Sequence, residues 1–139
     1  MAEPLFKHLS EEEVAVAKEF IRRVIPDAEL KFDVPLKSKL PAALETAPQP
    51  YKSLWEYLTA KKIDFIAEYP DKIMIVEVKR KLSASAVGQL LLYRKMFAEQ
   101  YKPGKPIELW HIANYPDLDV IELLNELGIR WWCLSESLI

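Results

Sequence analysis

The apolar and polar positions of this chain follow two periods, and the places where the period changes predict its elements. Apolar residues recur at helical spacing in three segments, and they alternate or run together in others of strand length. The predicted helices cover 10–25, 83–101 and 116–127. The predicted strands cover 29–34, 107–113, 129–134 and, as a hairpin, 63–80. The order is α-β-β-β-α-β, with a further helix and strand at the C-terminal end.

Turn and cap residues support these boundaries. Ser10 and Glu13 can form a capping box, and Ser83 can cap the long helix. Pro70 and Asp71 suit the middle of a type I turn, so 63–80 is expected to be antiparallel. The later strands alternate with helices, which predicts parallel crossover connections. The pattern therefore predicts an α/β domain with a central mixed β-sheet flanked by helices.

The segment at about 35–62 interrupts this order with four prolines, so no long element is expected there. Ser53 and Glu56 form a second potential capping box, which predicts a short helix ending near Lys61. Because domains usually hold about 100–200 residues, we predict a single domain over residues 1–139 with this proline-rich insert.

Composition excludes several classes of protein. No apolar run approaches the ~18–20 residues of a membrane span, and no signal peptide is evident. Cys133 is the only cysteine, which excludes an internal disulfide and a four-cysteine metal site. The two histidines, His8 and His111, are far apart, and His111 is expected to be a satisfied core residue. We expect a cytoplasmic protein with no membrane partner. The scarcity of Asn and Gln beside 19 Lys and Arg suggests a thermophilic source.

Charge is unevenly distributed along the chain. The net charge is −2, yet residues 72–105 hold eight basic residues against Glu77 and Glu99, a balance of +6, so the remainder totals −8. A basic middle third on an acidic chain predicts a local patch for an anionic partner. An ordinary solvated helix face and strand end is the alternative.

Three charged residues interrupt the apolar hairpin. If the turn centres on Pro70 and Asp71, paired residues sum to 141, which places Asp64 opposite Glu77. Directly opposed residues share a face of the sheet, and Lys79, two residues beyond Glu77, shares it too. Two carboxylates that close repel each other unless a proton or cation lies between them. Oxygen ligands suit Mg²⁺, but an ionic cluster at a sheet edge would use the same residues.

The long helix adds a second feature. Its residues Gln89 and Tyr93 are four apart and therefore adjacent on the helix surface. Tyr93 belongs to the face expected to pack on the sheet, and a partly buried Gln89 needs hydrogen-bond partners that the charged cluster could supply. The alternative is that Tyr93 is an ordinary core residue and Gln89 lies at the rim of the core. The packing face is predicted to be Ala86, Leu90, Tyr93, Phe97 and Tyr101. Leu91, Leu92 and Met96 leave the far side apolar as well, for another helix or a dimer contact.

Together, Asp64, Glu77-Val78-Lys79 and Gln89-Leu90-Leu91-Leu92-Tyr93 resemble the PD-(D/E)xK nuclease superfamily, particularly its RecB-like branch with a Q-x-x-x-Y helix. The resemblance covers about residues 60–101 by motif and implies a restriction-endonuclease-like core. The proline that precedes the first acid in the family is absent here. A carboxylate from the first helix often joins such sites, but Glu13 already has a capping role and Glu19 points away from the buried stripe.

The resemblance implies a metal-dependent nuclease that hydrolyses phosphodiester bonds, with DNA as the expected substrate. Asp64 and Glu77 would bind Mg²⁺, or Mn²⁺ in its place, with the Val78 carbonyl as a further ligand. Lys79 would position the attacking water, and Gln89 and Tyr93 would brace the site or contact DNA. The expected nucleic-acid contacts are Arg80, Lys81, Arg94 and Lys95. The lysines of the insert favour a flap over DNA, with an ordinary solvated loop as the alternative.

Two alternatives stay open. One is an inactive module of the same fold that binds nucleic acid or mediates assembly, and the other is a structural protein with a salt-bridge cluster. The sequence leaves the oligomeric state open; small nucleases of this fold often work as homodimers, which is an analogy only.

Overall fold

A computed structural model describes residues 6–135. A five-stranded mixed sheet forms its centre, with strands in the order β1-β2-β3-β4-β5. The strands are β1 (Glu29–Leu36), β2 (Lys61–Glu68), β3 (Ile73–Lys81), β4 (Ile107–Tyr115) and β5 (Arg130–Cys133). The helices are α1 (Glu11–Val24), α2 (Ala42–Glu45), α3 (Tyr51–Thr59), α4 (Ala84–Tyr101) and α5 (Leu118–Glu126). The predicted fold class is confirmed.

Strand direction follows the connections. The pairs β1–β2 and β2–β3 are antiparallel, whereas β3–β4 and β4–β5 are parallel and are joined through α4 and α5. Helix α1 covers one face of the sheet, and α4 with α5 covers the other. Two apolar layers result, and each strand of the hairpin contributes to both. None of the described helices is long and apolar enough to cross a membrane.

The N-terminal caps form as the sequence predicts. The Ser10 hydroxyl accepts from the Glu13 N–H, and the Glu13 carboxylate accepts from the Ser10 N–H. At α4, the Ser83 hydroxyl accepts from the Ala86 N–H.

The packing face of α4 is mostly as predicted, since Ala86, Leu90, Tyr93 and Phe97 are buried against the sheet. The prediction for Tyr101 was wrong: it is 41% exposed, and its hydroxyl donates to the Pro35 carbonyl at the end of β1.

The insert is shorter and more helical than predicted. Residues 35–36 extend β1 and residues 61–62 begin β2, so the segment between the strands covers 37–60. Pro35 is tolerated because β1 is an edge strand, where one N–H is not needed for pairing. The second capping box was also wrong: α3 starts at Tyr51, and the Ser53 hydroxyl donates to Gln49 within the helix start instead.

Strands β1 and β2 change face at matching positions. Phe32 and Phe65 pack in the layer under α1, whereas Val34 and Ile63 pack in the layer under α4. Residues two apart would share a face in a regular strand. The register places Asp33 opposite Asp64 between these pairs, and Asp33 has the left-handed φ of 51° that Asp tolerates better than most residues. Asp64 therefore lies at the point where β2, together with β1, turns its inward side chains from one apolar layer to the other.

Candidate active site

The hairpin register is the one that the turn predicts. Phe65 pairs with Val76 and Ile66 with Ile75, and the Tyr69 N–H donates to the Lys72 carbonyl across the turn. Beyond Phe65 the backbone ladder ends, and the Asp64 carboxylate accepts a 2.8 Å hydrogen bond from the Val78 N–H. This bond holds Asp64 against β3 where Glu77 lies.

Glu77 is a buried acid with an incomplete set of partners. It is 4% exposed, and its Oε1 has no hydrogen-bond partner among the described residues. Its Oε2 lies 3.6 Å from Nζ of Lys79, whose side chain is one-third exposed. A buried carboxylate with a free oxygen is costly unless a cation completes its surroundings. The predicted convergence of Asp64, Glu77 and Lys79 is therefore present.

Burial makes both carboxyl groups harder to ionise, and the charge of Asp64 adds to this effect at Glu77. Burial, followed by the negative charge of Asp64, raises the pKa of Glu77 to about 9, and Lys79 offsets only part of this. Burial also raises the pKa of Asp64, although the Val78 N–H opposes the shift. At neutral pH the pair without a cation retains a proton, which a positively charged ligand would displace.

The donor set suits a hard divalent cation. Asp64 and Glu77 offer oxygen ligands only, which is the chemistry that Mg²⁺ prefers, and the unpartnered Oε1 of Glu77 is an available ligand atom. Within residues 6–135, no group of three or more His, Cys, Asp or Glu side chains is arranged to hold a metal. A cation bound here would have two side-chain ligands and would retain several waters.

Helix α4 brings its two polar residues to this cluster. The amide of Gln89 donates to the Tyr93 hydroxyl at 3.4 Å, while Oε1 of Gln89 is buried and lacks a partner among the described residues. Burial raises the pKa of Tyr93, and so do the charges of Glu77 and Asp64. Tyr93 is therefore a protonated phenol within the electrostatic field of the acid pair, and its predicted bracing role stays a prediction.

His111 supports the site in a way that the sequence did not reveal. It is fully buried in β4 beside Glu77, and burial lowers its pKa to about 4. Its Nε2 accepts from the Ser83 N–H at 3.0 Å, so Nδ1 carries the hydrogen and faces the Glu77 carbonyl at 3.3 Å. The neutral ring thus ties the start of α4 to the strand that carries Glu77. The predicted satisfied core histidine is confirmed.

Glu13 and Glu19, two of the four acids of α1, keep the places that the sequence predicts for them. Glu13 stays in the capping box, although its charge contributes to the raised pKa of Asp64. Glu19 pairs with Arg22 and Arg23 on the solvent side. Neither side chain contacts the acid pair.

The four predicted nucleic-acid contacts come from the end of β3 and from α4. Arg80 and Lys81 end β3, where they pair with Glu12 of α1 and Asp117 before α5. Arg94 and Lys95 are exposed on α4, and Lys95 pairs with Glu99 one turn later. Of these four residues, Lys95 lies beside the insert, and their contact with nucleic acid stays a prediction.

No family model and no curated protein matches this chain. Among solved structures, a repair endonuclease from Pyrococcus abyssi is similar over 90% of this chain and 47% of its own, with TM-score 0.52 and 18% identity. A complex of EndoMS with double-stranded DNA aligns over 88% of this chain and 44% of its own, with TM-score 0.48 and 19% identity. The chain thus spans about half the length of the structures it matches. The first similarity shows the fold, a restriction-endonuclease-like core.

Proposed function

We propose that this protein is a metal-dependent nuclease that hydrolyses phosphodiester bonds in DNA. The observation that carries the proposal is the convergence of Asp64, Glu77 and Lys79 on β2 and β3, where one buried oxygen of Glu77 has no hydrogen-bond partner within residues 6–135. Support also comes from the fold, since the similar protein from Pyrococcus abyssi is a repair endonuclease. The RecB-like branch is part of the proposal and rests on Gln89 and Tyr93.

In the proposed reaction, the Asp64 and Glu77 carboxylates hold Mg²⁺ or Mn²⁺, and the Val78 carbonyl is a further candidate ligand. The metal would supply Lewis-acid stabilisation of the phosphate and a more acidic bound water. The Val78 N–H orients Asp64, so that one of its oxygens is committed to the backbone. The Nδ1–H of His111 faces the backbone carbonyl of Glu77 and so holds the strand that carries this carboxylate.

Lys79 acts on the substrate side of the pair. Its ammonium group is partly exposed and lies beside the Glu77 carboxylate, so it can orient a water and stabilise negative charge that builds on the phosphate. The protonated Tyr93 hydroxyl, which Gln89 positions, can donate a hydrogen bond into the same space.

The test is cleavage of supercoiled plasmid and labelled single-stranded DNA with Mg²⁺, Mn²⁺ or EDTA. Asp64→Asn and Lys79→Ala are the active-site variants, and Glu68→Gln is the matched control because it removes an acid from the same strand four residues away. We expect metal-dependent cleavage by the wild type and the control, with loss of about 10²-fold or more in both active-site variants. Cleavage that persists in Asp64→Asn would contradict the proposal.

A second candidate function is nucleic-acid binding without cleavage. It is favoured by one observation: no third metal-ligating side chain joins Asp64 and Glu77 among the described residues. DNA retention at low salt, with no product under any metal condition, would support this alternative.

A further inference from the structure

A cleft of about 770 Å³ separates the insert from α4. One wall consists of residues 37–40 and α3, and the other is the outer side of α4 from Leu92 to Gln100. Leu40, Trp55, Leu92 and Met96 make its interior apolar. Clefts of a few hundred to about 1,000 Å³ commonly hold ligands. The far side of α4, which the sequence left open for a helix or a dimer contact, therefore faces α3 across a space large enough for a ligand.

The rim of this cleft is basic. Two acids oppose five lysines there, a balance of three positive charges, and both acids belong to helices. Glu99 pairs with Lys39 and Lys95. Lys37 and Lys52 make no ion pair with any described residue. The lysines are Lys37, Lys39, Lys52, Lys61 and Lys95, and the acids are Glu56 and Glu99. Cations around an apolar interior complement a ligand that carries both negative charge and apolar faces.

Trp55 indicates which class of ligand would fit the cleft. The residue is 37% exposed and lines the cleft from α3, one turn from Lys52. An exposed aromatic ring between lysines is the arrangement that binds single strands, because bases stack on the ring while phosphates meet the cations. A duplex keeps its bases stacked inside and would leave the apolar interior unused.

Two elements, α4 and β2, contribute residues both to the cleft and to the surroundings of the acid pair. Helix α4 presents Gln89 and Tyr93 to the acid pair, and Leu92 and Met96, each three residues further along, to the cleft. On β2, Lys61 lines the cleft three residues before Asp64, which is about 10 Å along a strand. We propose that the cleft binds single-stranded nucleic acid and guides it to the acid pair. Its role as a guide rests on the proposed nuclease function, whereas binding does not.

Binding can be measured in EDTA, where no cleavage occurs, by fluorescence anisotropy of a labelled oligothymidylate. Trp55→Ala should weaken binding about tenfold through loss of one stacked base. Lys37→Ala with Lys52→Ala should reduce the slope of log K against log salt by about 1.4, at about 0.7 per lost phosphate contact. The matched control is Lys72→Ala with Arg130→Ala, which removes the same charge from side chains paired with Glu108, away from the cleft.

Affinity and salt slope that are equal in the cleft variants and the control would overturn the proposal. So would a dimer, seen by sedimentation, that Trp55→Ala dissolves while oligonucleotide affinity stays unchanged, since a second copy would then be the occupant. The Glu77→Gln variant separates the two proposals, because it should lose cleavage and still bind the oligonucleotide. Binding in the cleft by a wild type that cleaves nothing would contradict only the nuclease. Circular dichroism of each variant checks that the fold is retained.

Discussion

Replacing Glu77 by Gln should stabilise the metal-free protein as pH rises, although Glu77 lies in the core. The carboxyl is 4% exposed, and its raised pKa of about 9 compares with 4.5 for an ordinary glutamate. Below pH 4.5 both the folded and the unfolded states carry the proton, so the group costs nothing. Between pH 4.5 and about pH 9 only the folded state retains this proton, so the free energy of unfolding falls as pH rises through that interval.

The size of the effect follows from this interval. At about 1.4 kcal/mol per pH unit, the wild type loses at most about 5 kcal/mol by pH 8 through this group. The carboxamide of Glu77→Gln does not titrate, but its buried amide lacks full partners, which costs about 1–3 kcal/mol. We therefore expect a net gain of about 2–4 kcal/mol at pH 8 and no gain at pH 5.

Urea unfolding in EDTA at pH 5, 6.5 and 8 measures this difference directly. Glu68→Gln is the control, because the Lys105 ammonium lowers the pKa of Glu68, so its replacement should give no gain that grows with pH. Mg²⁺ should reduce the advantage of Glu77→Gln by stabilising the wild type alone. A difference between Glu77→Gln and wild type that is constant from pH 5 to 8 would refute the reasoning.

Three other substitutions test separate parts of the account. Lys79→Met should lower kcat by about 10²-fold with little change in KM, as steady-state cleavage will show, and a change in KM alone would contradict its role. His111→Ala should destabilise the protein by about 2–4 kcal/mol in urea, because it leaves a cavity and unpairs buried groups around Ser83 and Glu77. Ser10→Ala should lower the free energy of unfolding by about 1 kcal/mol in the same measurement, because the α1 cap is lost. No change would show that the capping box contributes nothing to stability.

The hairpin and its charged residues could be predicted because the information is local. Pro70 and Asp71 define a short turn, and the turn defines the register, which holds from Glu68–Ile73 as far as Phe65–Val76. Beyond that pair the Asp64 side chain, not its backbone, bonds to β3 beside Glu77. The start of α4 was predictable for the same reason, since Ser83 caps a helix within three residues of itself.

The features that were missed depend on residues distant in sequence. The bond from His111 to the Glu77 carbonyl depends on the parallel register of β3 and β4, which a crossover of 25 residues (82–106) sets and which no local pattern encodes. The twist at Asp33 arises because an edge strand follows its neighbour from one layer to the other. The start of α3 was misplaced because Ser53 found Gln49 as a partner rather than the helix backbone.

The most direct test of the central claim, that the acid pair is a divalent-cation site, is calorimetric titration of Mn²⁺ into the metal-free protein at pH 7. We predict one bound Mn²⁺ per chain for the wild type, with proton release visible as a buffer-dependent heat, because the ligands must be deprotonated. Glu77→Gln should remain folded and bind none. No Mn²⁺ binding by the wild type, or equal binding by Glu77→Gln, would contradict the account.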